Sequence, residues 1–550
     1  LKKRNSFIVI LLSLSIVALG QPARIGWLGA IAAGFGYALF FYAIPTAQSR
    51  LRTFAVAACW FTTVQFIQLS WMTSIEFQGY YILFVYFFLA LWLGAQFGLL
   101  TLLVPPAGKL CFQQMLFCAS AWTLMEWGRV LILCGLSWNP IGLALTHFTP
   151  SLQFASLFGI LGLSFWVVLT NLAGLNAIRS KSLKHIGSWS AIAALPYFFG
   201  LAQLHWFQDP LEQKTLHVAL IQTDLLPSEK TPLTGHARGF VSPFEQWERI
   251  FKYLKETEVS KRDLIVLPEA AVHMPSEFCN YPYFAVRELL IEIFGKESEK
   301  TFPPLAFPFA EMRDHGEKKI WCVSNLFWCQ SLANLYEAEV VAGLDHYDRQ
   351  LNKSFNSVFY FQPDHSSFER YDKQILLPMV EYLPWEFLRP LTRGFGIYDF
   401  FSKGEGSKVF GKKILLSPSI CYEETFAELM RRGRKGGGEL FVNVTNDNYF
   451  PNSSLHEQHL FHARVRAAEN GVPLVRACNS GVTACIDCFG RILAKFESKE
   501  AGIKEGSLNY SLPAFHFPTL FSFWGEGGII SICFIIFICR WRILFQKNGK

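Results

Sequence analysis

The chain has 550 residues, of which 51% are hydrophobic and 17% charged, with 53 Phe and 16 Trp. A soluble protein is usually about 25% charged, so this composition excludes a disordered chain, a small disulfide scaffold and an ordinary cytosolic enzyme. The net charge of +7 is unevenly placed: residues 1–205 hold 11 Lys and Arg against two acids, Glu76 and Glu126, and the rest is slightly acidic. The basic excess thus sits among apolar segments, which argues against nucleic acid as a partner.

A spanning helix needs about 20 mostly apolar residues, because the bilayer offers no water to backbone polar groups. Such runs predict spans near 6–20, 25–45, 53–73, 80–104, 110–134, 151–178 and 187–206, with an eighth at 519–539. The first is short and follows Lys2, Lys3 and Arg4, so it reads either as a signal peptide or as an uncleaved helix. The uncleaved helix gives the more consistent charge pattern. Alternate loops then collect nearly all the lysines and arginines and the basic tail on one side, and the short loops of the other side hold only Arg24. That asymmetry predicts cytoplasmic termini and residues 207–518 outside. Glu126 and Arg129, spaced i, i+3 inside a span, read either as a structural pair facing the bundle interior or as functional charge.

From Thr215 the texture changes to short β-like runs separated by amphipathic stretches. Segments 216–222, 264–268, 319–325, 357–361, 413–421, 439–444, 473–478 and 482–488 read as strands. Segments 243–258, 284–295, 422–434 and 455–470 have helical spacing of apolar residues. The alternation implies an α/β layered fold. Residues 296–318, broken by three prolines, read as a polar insertion.

Three chemically loaded spots fall at or near strand ends, where α/β folds place their sites. Glu269 stands in LIVLPEAA, Lys373 in RYDKQILLPMVEYLP with Glu381 eight positions on, and Cys421 in SPSICYEETF with Glu423 two residues on. Taken singly, each has a bland reading: a helix N-terminal charge, a solvated amine, a small buried hydrophobe. Together they are the parts of an activated nucleophile. The carboxylate takes the thiol proton, the ammonium stabilises thiolate and oxyanion, and the thiolate attacks an acyl carbon.

In this order the LPE, K-x7-EYLP and CYE elements resemble the Glu-Lys-Cys triad of the nitrilase (carbon–nitrogen hydrolase) superfamily. With seven predicted helices before and one after, and with NVTNDNYF…HEQHLFHARVRAAENGVPLVRACNSGVTACID downstream, the whole chain resembles the bacterial apolipoprotein N-acyltransferase family. The resemblance implies a multi-pass α-helical membrane bundle (1–206, plus a last helix and tail in 519–550). It also implies an αββα nitrilase-like extramembrane domain over 207–518.

The same resemblance implies a bacterial inner-membrane enzyme with its catalytic domain on the periplasmic side. A phospholipid would donate an acyl chain through a Cys421 thioester to the N-terminal amine of a diacylglyceryl apolipoprotein. Glu269 would be the general base and Lys373 the oxyanion donor. Glu381, Tyr422 and Glu423 match supporting residues. No cofactor or metal is implied, and Cys485-x-x-Cys488 lacks the second ligand pair of a zinc site. Seven cysteines lie in 207–518, an odd count that leaves one thiol free if every bridge is internal.

The family's pattern is broken in two places. A Trp often follows the first strand, whereas Thr231 stands near that position here, and 272–318 looks longer than usual. Two other readings use the same residues. One is a membrane-tethered amidase or nitrilase that releases acyl groups to water; the other is a non-catalytic transporter or lipoprotein-binding scaffold.

Overall fold

The division of charge along the sequence is also a division of the fold. The computed structural model describes residues 3–44, 49–207, 214–230, 239–257, 259, 261–316, 318–365, 367–394, 399–497 and 504–548. One unit comprises Leu1–Asp209, Asn452–Gly471 and Phe517–Lys550; the other comprises Pro210–Pro451 and Val472–His516.

The first unit is helical, and each predicted span contains a helix or a broken helix. Among the described residues, Gly26–Ala43, Tyr81–Leu103 and Ala155–Ser180 are long and apolar enough to cross a membrane, and Ser6–Leu19 is a shorter apolar helix. Others are more polar: Arg50–Gln68 carries Arg50, Arg52, Gln65 and Gln68, and Phe112–Val130 carries Glu126 and Arg129. The predicted span at 519–539 is instead Leu520–Trp524, a turn at Gly525 with φ 62°, and a helix over Glu526–Asn548.

Glu126 and Arg129 face inward, each 3% exposed. Glu126 Oε1 accepts from Trp122 Nε1 at 2.9 Å and from the Ile141 amide at 3.0 Å, while Arg129 Nε donates to Gln96 Oε1 at 2.6 Å. The two charges lie 3.7 Å apart. One carboxylate oxygen and the Nε are thus satisfied by the bundle, whereas Glu126 Oε2 and Arg129 Nη2 are buried without a hydrogen-bond partner among the described residues, so the charges rely on each other for compensation.

Helix Ala155–Ser180 is broken at Gly159, where φ is 68°. A Cβ there would lie 2.5 Å from the Phe521 ring, so only glycine meets both the backbone angle and the space. The Ile160 amide freed by the break donates to Glu469 Oε1 at 2.6 Å. Glu469 belongs to helix Leu455–Asn470, which sequence alone assigned to the α/β domain but which packs within the helical unit. Every residue from 458 to 470 in it is buried. Its Gln458 accepts from Trp71 Nε1 and Trp138 Nε1 and donates to the Gln68 carbonyl.

The second unit is built on two sheets. One has the strand order Gly506–Pro513, Thr215–Gln222, Leu264–Leu267, Glu339–Asp348, Lys353–Phe361, Phe368–Asp372. The other runs Ile492–Lys495, Ala484–Ile486, Leu474–Cys478, Leu440–Thr445, Leu416–Ile420. The first sheet is parallel at its centre and antiparallel toward both edges; the second is parallel from Leu474–Cys478 to its edge strand Leu416–Ile420 and antiparallel at the other end. Side chains alternate along a strand, so Leu216, Val218 and Leu220 join a core between the sheets with Ile420, Val442 and Val475. Ala219 and Ile221 face the opposite way, into a core with Trp247, Val286 and Trp328.

Those residues come from helices Pro243–Glu256, Tyr283–Phe294 and Asn325–Tyr336, while Ala427–Lys435 packs on the second sheet. The layers are those of an α/β sandwich. The stretch 296–318, read from sequence as a polar insertion, contributes strand Ala310–His315 to a small sheet with Lys318–Val323. Helix Asn325–Tyr336 and strand Glu339–Asp348 were absent from the sequence reading.

Candidate active site

Glu269 follows the strand Leu264–Leu267 and Pro268, and it is held there by backbone geometry. Ala270 has φ 44°, the Ala271 amide donates to the Gly343 carbonyl at 2.8 Å, and Gly343 has no side chain to obstruct the turn. A Cβ at Gly343 would lie 2.5 Å from the Pro268 carbonyl oxygen and 2.7 Å from Glu269 Cα. Lys373 follows strand Phe368–Asp372, and its amide donates to the Asn356 carbonyl at 2.9 Å. Cys421 follows Leu416–Ile420 with φ 50°, an unfavourable angle for a residue with a Cβ. Such strain at a strand-to-helix turn is common where a side chain must be presented to a reactant.

The structure brings Glu269, Lys373 and Glu381 into direct contact. Lys373 Nζ donates to Glu381 Oε1 at 2.7 Å and to Glu269 Oε1 at 3.2 Å, and Lys373 is only 1% exposed. Asn356 reinforces the pair: its amide donates to Glu269 Oε1 at 2.7 Å and Glu381 Oε1 at 3.2 Å. The other Glu381 oxygen accepts from the Leu377 amide at 2.8 Å. Burial would pull the Lys373 ammonium down, but Glu269, Glu381 and Cys421 outweigh it and hold it well above the ordinary lysine value. Cys421 lies within electrostatic range of Glu269, Lys373 and Asp447. Burial, with the Glu269 charge beside it, pushes its thiol well up, against the pull of Lys373.

Glu423 is fully buried and joins two loops. It accepts from the Ile420 amide at 2.8 Å, the Gln374 amide at 2.6 Å, the Ile375 amide at 3.1 Å and the Tyr371 hydroxyl at 2.9 Å. The turn bearing Cys421 is therefore tied to the segment just after Lys373. Burial pushes the Glu423 carboxyl up to about 7, against these hydrogen bonds. Tyr422 packs edge-on against Phe426, with ring centroids 5.0 Å apart. Thr231 lies outside the described residues.

Sequence reasoning missed several members of this cluster. Arg476, fully buried in strand Leu474–Cys478, lies 3.0 Å from Glu424 and 3.8 Å from Asp447. These carboxylates outweigh its burial and raise its guanidinium further. An arginine inside an otherwise apolar strand, as in PLVRAC, is the signal that a buried carboxylate awaits it. Asn479 accepts from the Thr223 hydroxyl at 2.5 Å and donates to Asn446 at 2.9 Å, fixing the loop after the first strand. Tyr449 lies within electrostatic range of Glu269, Glu381, Asp345 and Cys421.

Residues 241–511 match the model of the carbon–nitrogen hydrolase family, and residues 13–173 match that of the apolipoprotein N-acyltransferase N-terminal domain. An apolipoprotein N-acyltransferase of Chlamydia caviae is 27% identical, covering 97% of each chain. That of Chlamydia pneumoniae is 29% identical, covering 95% of this chain and 94% of its own. Among solved structures, Nit3 of Saccharomyces cerevisiae, from the nitrilase superfamily, is 19% identical; it aligns over 55% of this chain and 91% of its own at a TM-score of 0.35. The chain thus carries, in order, a match to the apolipoprotein N-acyltransferase N-terminal domain and a match to the carbon–nitrogen hydrolase family, and it is similar over nearly its whole length to bacterial apolipoprotein N-acyltransferases.

Proposed function

We propose that this protein transfers an acyl chain from a membrane phospholipid to the N-terminal amine of a diacylglyceryl apolipoprotein, through a thioester on Cys421. Acylation of lipoproteins in general is supported by the named relatives. The observation that carries the finer reading is the buried ammonium of Lys373, shared between Glu269 and Glu381 and electrostatically coupled to Cys421.

In this reading Glu269 takes the thiol proton as the ester carbonyl arrives, and the sulfur attacks the carbonyl carbon. Lys373 stabilises the oxyanion of the tetrahedral intermediate. Collapse breaks the ester C–O bond, and the lysophospholipid leaves with the proton from Glu269. The lipoprotein amine then attacks the thioester, loses a proton to Glu269 and forms the amide; the thiolate leaves and is reprotonated. Because the resting thiol is held protonated, proton transfer is coupled to attack and not completed beforehand. Glu381 and Asn356 fix the lysine, Glu423 fixes the nucleophile turn, and Tyr422 flanks it.

Eight spanning helices, cytoplasmic termini and a periplasmic catalytic domain in the bacterial inner membrane complete the proposal. A site reached from the lipid suits it, since exposing an acyl chain to water costs about 0.8 kcal/mol per CH2. The test is incubation of the purified protein with phospholipid, with and without a diacylated lipopeptide. Mass spectrometry should find an acyl chain thioester-linked to Cys421 that disappears as N-acyl lipopeptide forms. Free fatty acid with no N-acyl product would instead mark a hydrolase, and no acylation of Cys421 would remove the nucleophile assignment.

A further inference from the structure

The predicted base has a second buried cation beside it that the proposed mechanism leaves unused. Lys230 ends the short helix Pro227–Lys230 and is 6% exposed. Its ammonium donates to the Ala270 carbonyl at 2.8 Å, on the left-handed residue that directly follows Glu269. A serine, an asparagine or a water could satisfy that carbonyl at lower cost, because burying an ammonium is expensive unless its charge is matched. The match is present: Glu269 and Asp345 are its anionic neighbours. Asp345 stands opposite Asn356 in the sheet register, and Asn356 is the residue whose amide grips Glu269 and Glu381.

We propose that Lys230 is a positioning residue for Glu269: it holds the base's turn through the Ala270 carbonyl and stands, with Lys373, as a cation beside its carboxylate. Three carboxylates, Glu269, Glu381 and Asp345, face this cluster. Lys373 alone would be one ammonium against three, and in the reaction it must also serve the sulfur and the oxyanion. The other titratable groups nearby are Cys421, Tyr449 and His273. Burial draws the Lys230 ammonium down to about 7 and pushes Asp345 up to about 7, so the pair changes charge near neutrality.

This inference rests on Glu269 being the base for Cys421, and the test separates the two. The rate at which iodoacetamide alkylates Cys421 in the full-length protein is measured against pH, with no lipid substrate. Glu269→Gln should remove the lower-pH limb and leave only the high-pH limb of thiol ionisation; a lower limb that survives overturns the base assignment and this inference with it. Removing a nearby cation makes a carboxylate hold its proton to higher pH, so Lys230→Met should move the limb up by about one pH unit. Lys230→Arg should restore it. Lys230→Gln, which also removes the charge but keeps a donor for the Ala270 carbonyl, should move it up too and decides the matter if Lys230→Met does not fold. A limb lost in Glu269→Gln but unmoved in the other variants, or a uniform fall at every pH, would overturn the role of Lys230 alone.

Discussion

Both units bury charge, and they do so differently. In the helical unit Glu126 and Arg129 are one turn apart on the same helix, and a tryptophan, a backbone amide and a glutamine take up one oxygen of the first and one nitrogen of the second. In the α/β unit Glu269, Lys373 with Glu381, and Cys421 come from three separate loops and from as far apart as 152 residues in the sequence. The local pair is closed on itself. The assembled cluster ends in a thiol, a group with chemistry still to perform. Burial of charge therefore says little about function until it is known whether the partners come from one turn of helix or from several strand ends.

Substitutions should separate the two kinds of burial. Cys421→Ala should reduce acyl transfer at least about a thousandfold with unchanged thermal stability; retained activity in a folded variant would undo the contrast. Glu126→Ala should do the reverse, costing about 3–5 kcal/mol of stability by stranding Arg129, while activity per folded molecule persists. Replacing Glu126 and Arg129 together by Met should recover most of that loss, read as the thermal midpoint in detergent.

Gly343→Ala should cost about 1–3 kcal/mol through overpacking, because its Cβ would press on the turn bearing Glu269. Unlike Glu126→Ala, it should lower kcat as well as stability. The smallest effect expected is a pH slope. The Glu423 carboxyl is raised on folding from 4.5 to about 7. Its contribution to stability is thus full below pH 4.5 and is lost as pH rises through about 7. The thermal midpoint should fall by a few degrees, ~2–4 °C, across that window. In Glu423→Gln, which cannot titrate, the slope should flatten.

The predicted triad was legible because its three motifs each close a strand, and a strand end is where an α/β fold exposes polar groups. The central strands were legible from their apolar runs, and Glu381 and Glu423 only through the resemblance of K-x7-EYLP and CYE to a known family's motifs. Strand Glu339–Asp348 was not, because its outer half, LDHYD, carries as much charge as a loop. Lys230 was invisible for a related reason, since nothing in SEKT names the distant carboxylates that make its burial tolerable; PLVRAC signals a buried partner for Arg476 without saying which. Helix Leu455–Asn470 misled in the opposite direction. Its glutamine, histidines and arginines suggest a solvated face, yet tryptophans and carbonyls from other helices surround Gln458.

That helix has a consequence for how the protein is made. It interrupts the α/β unit between strand Leu440–Thr445 and strand Leu474–Cys478, which are neighbours in one parallel sheet. The sheet cannot close during synthesis until residues 452–471 have left it for the bundle and the chain has returned. The bundle, in turn, waits for that helix and for Glu526–Asn548. Neither unit is an unbroken stretch of chain, so neither can finish folding before the other is nearly translated. Cutting the gene at 207 and 518 would therefore not excise a domain; it would carry away a piece of the helical unit and strand its polar groups in water.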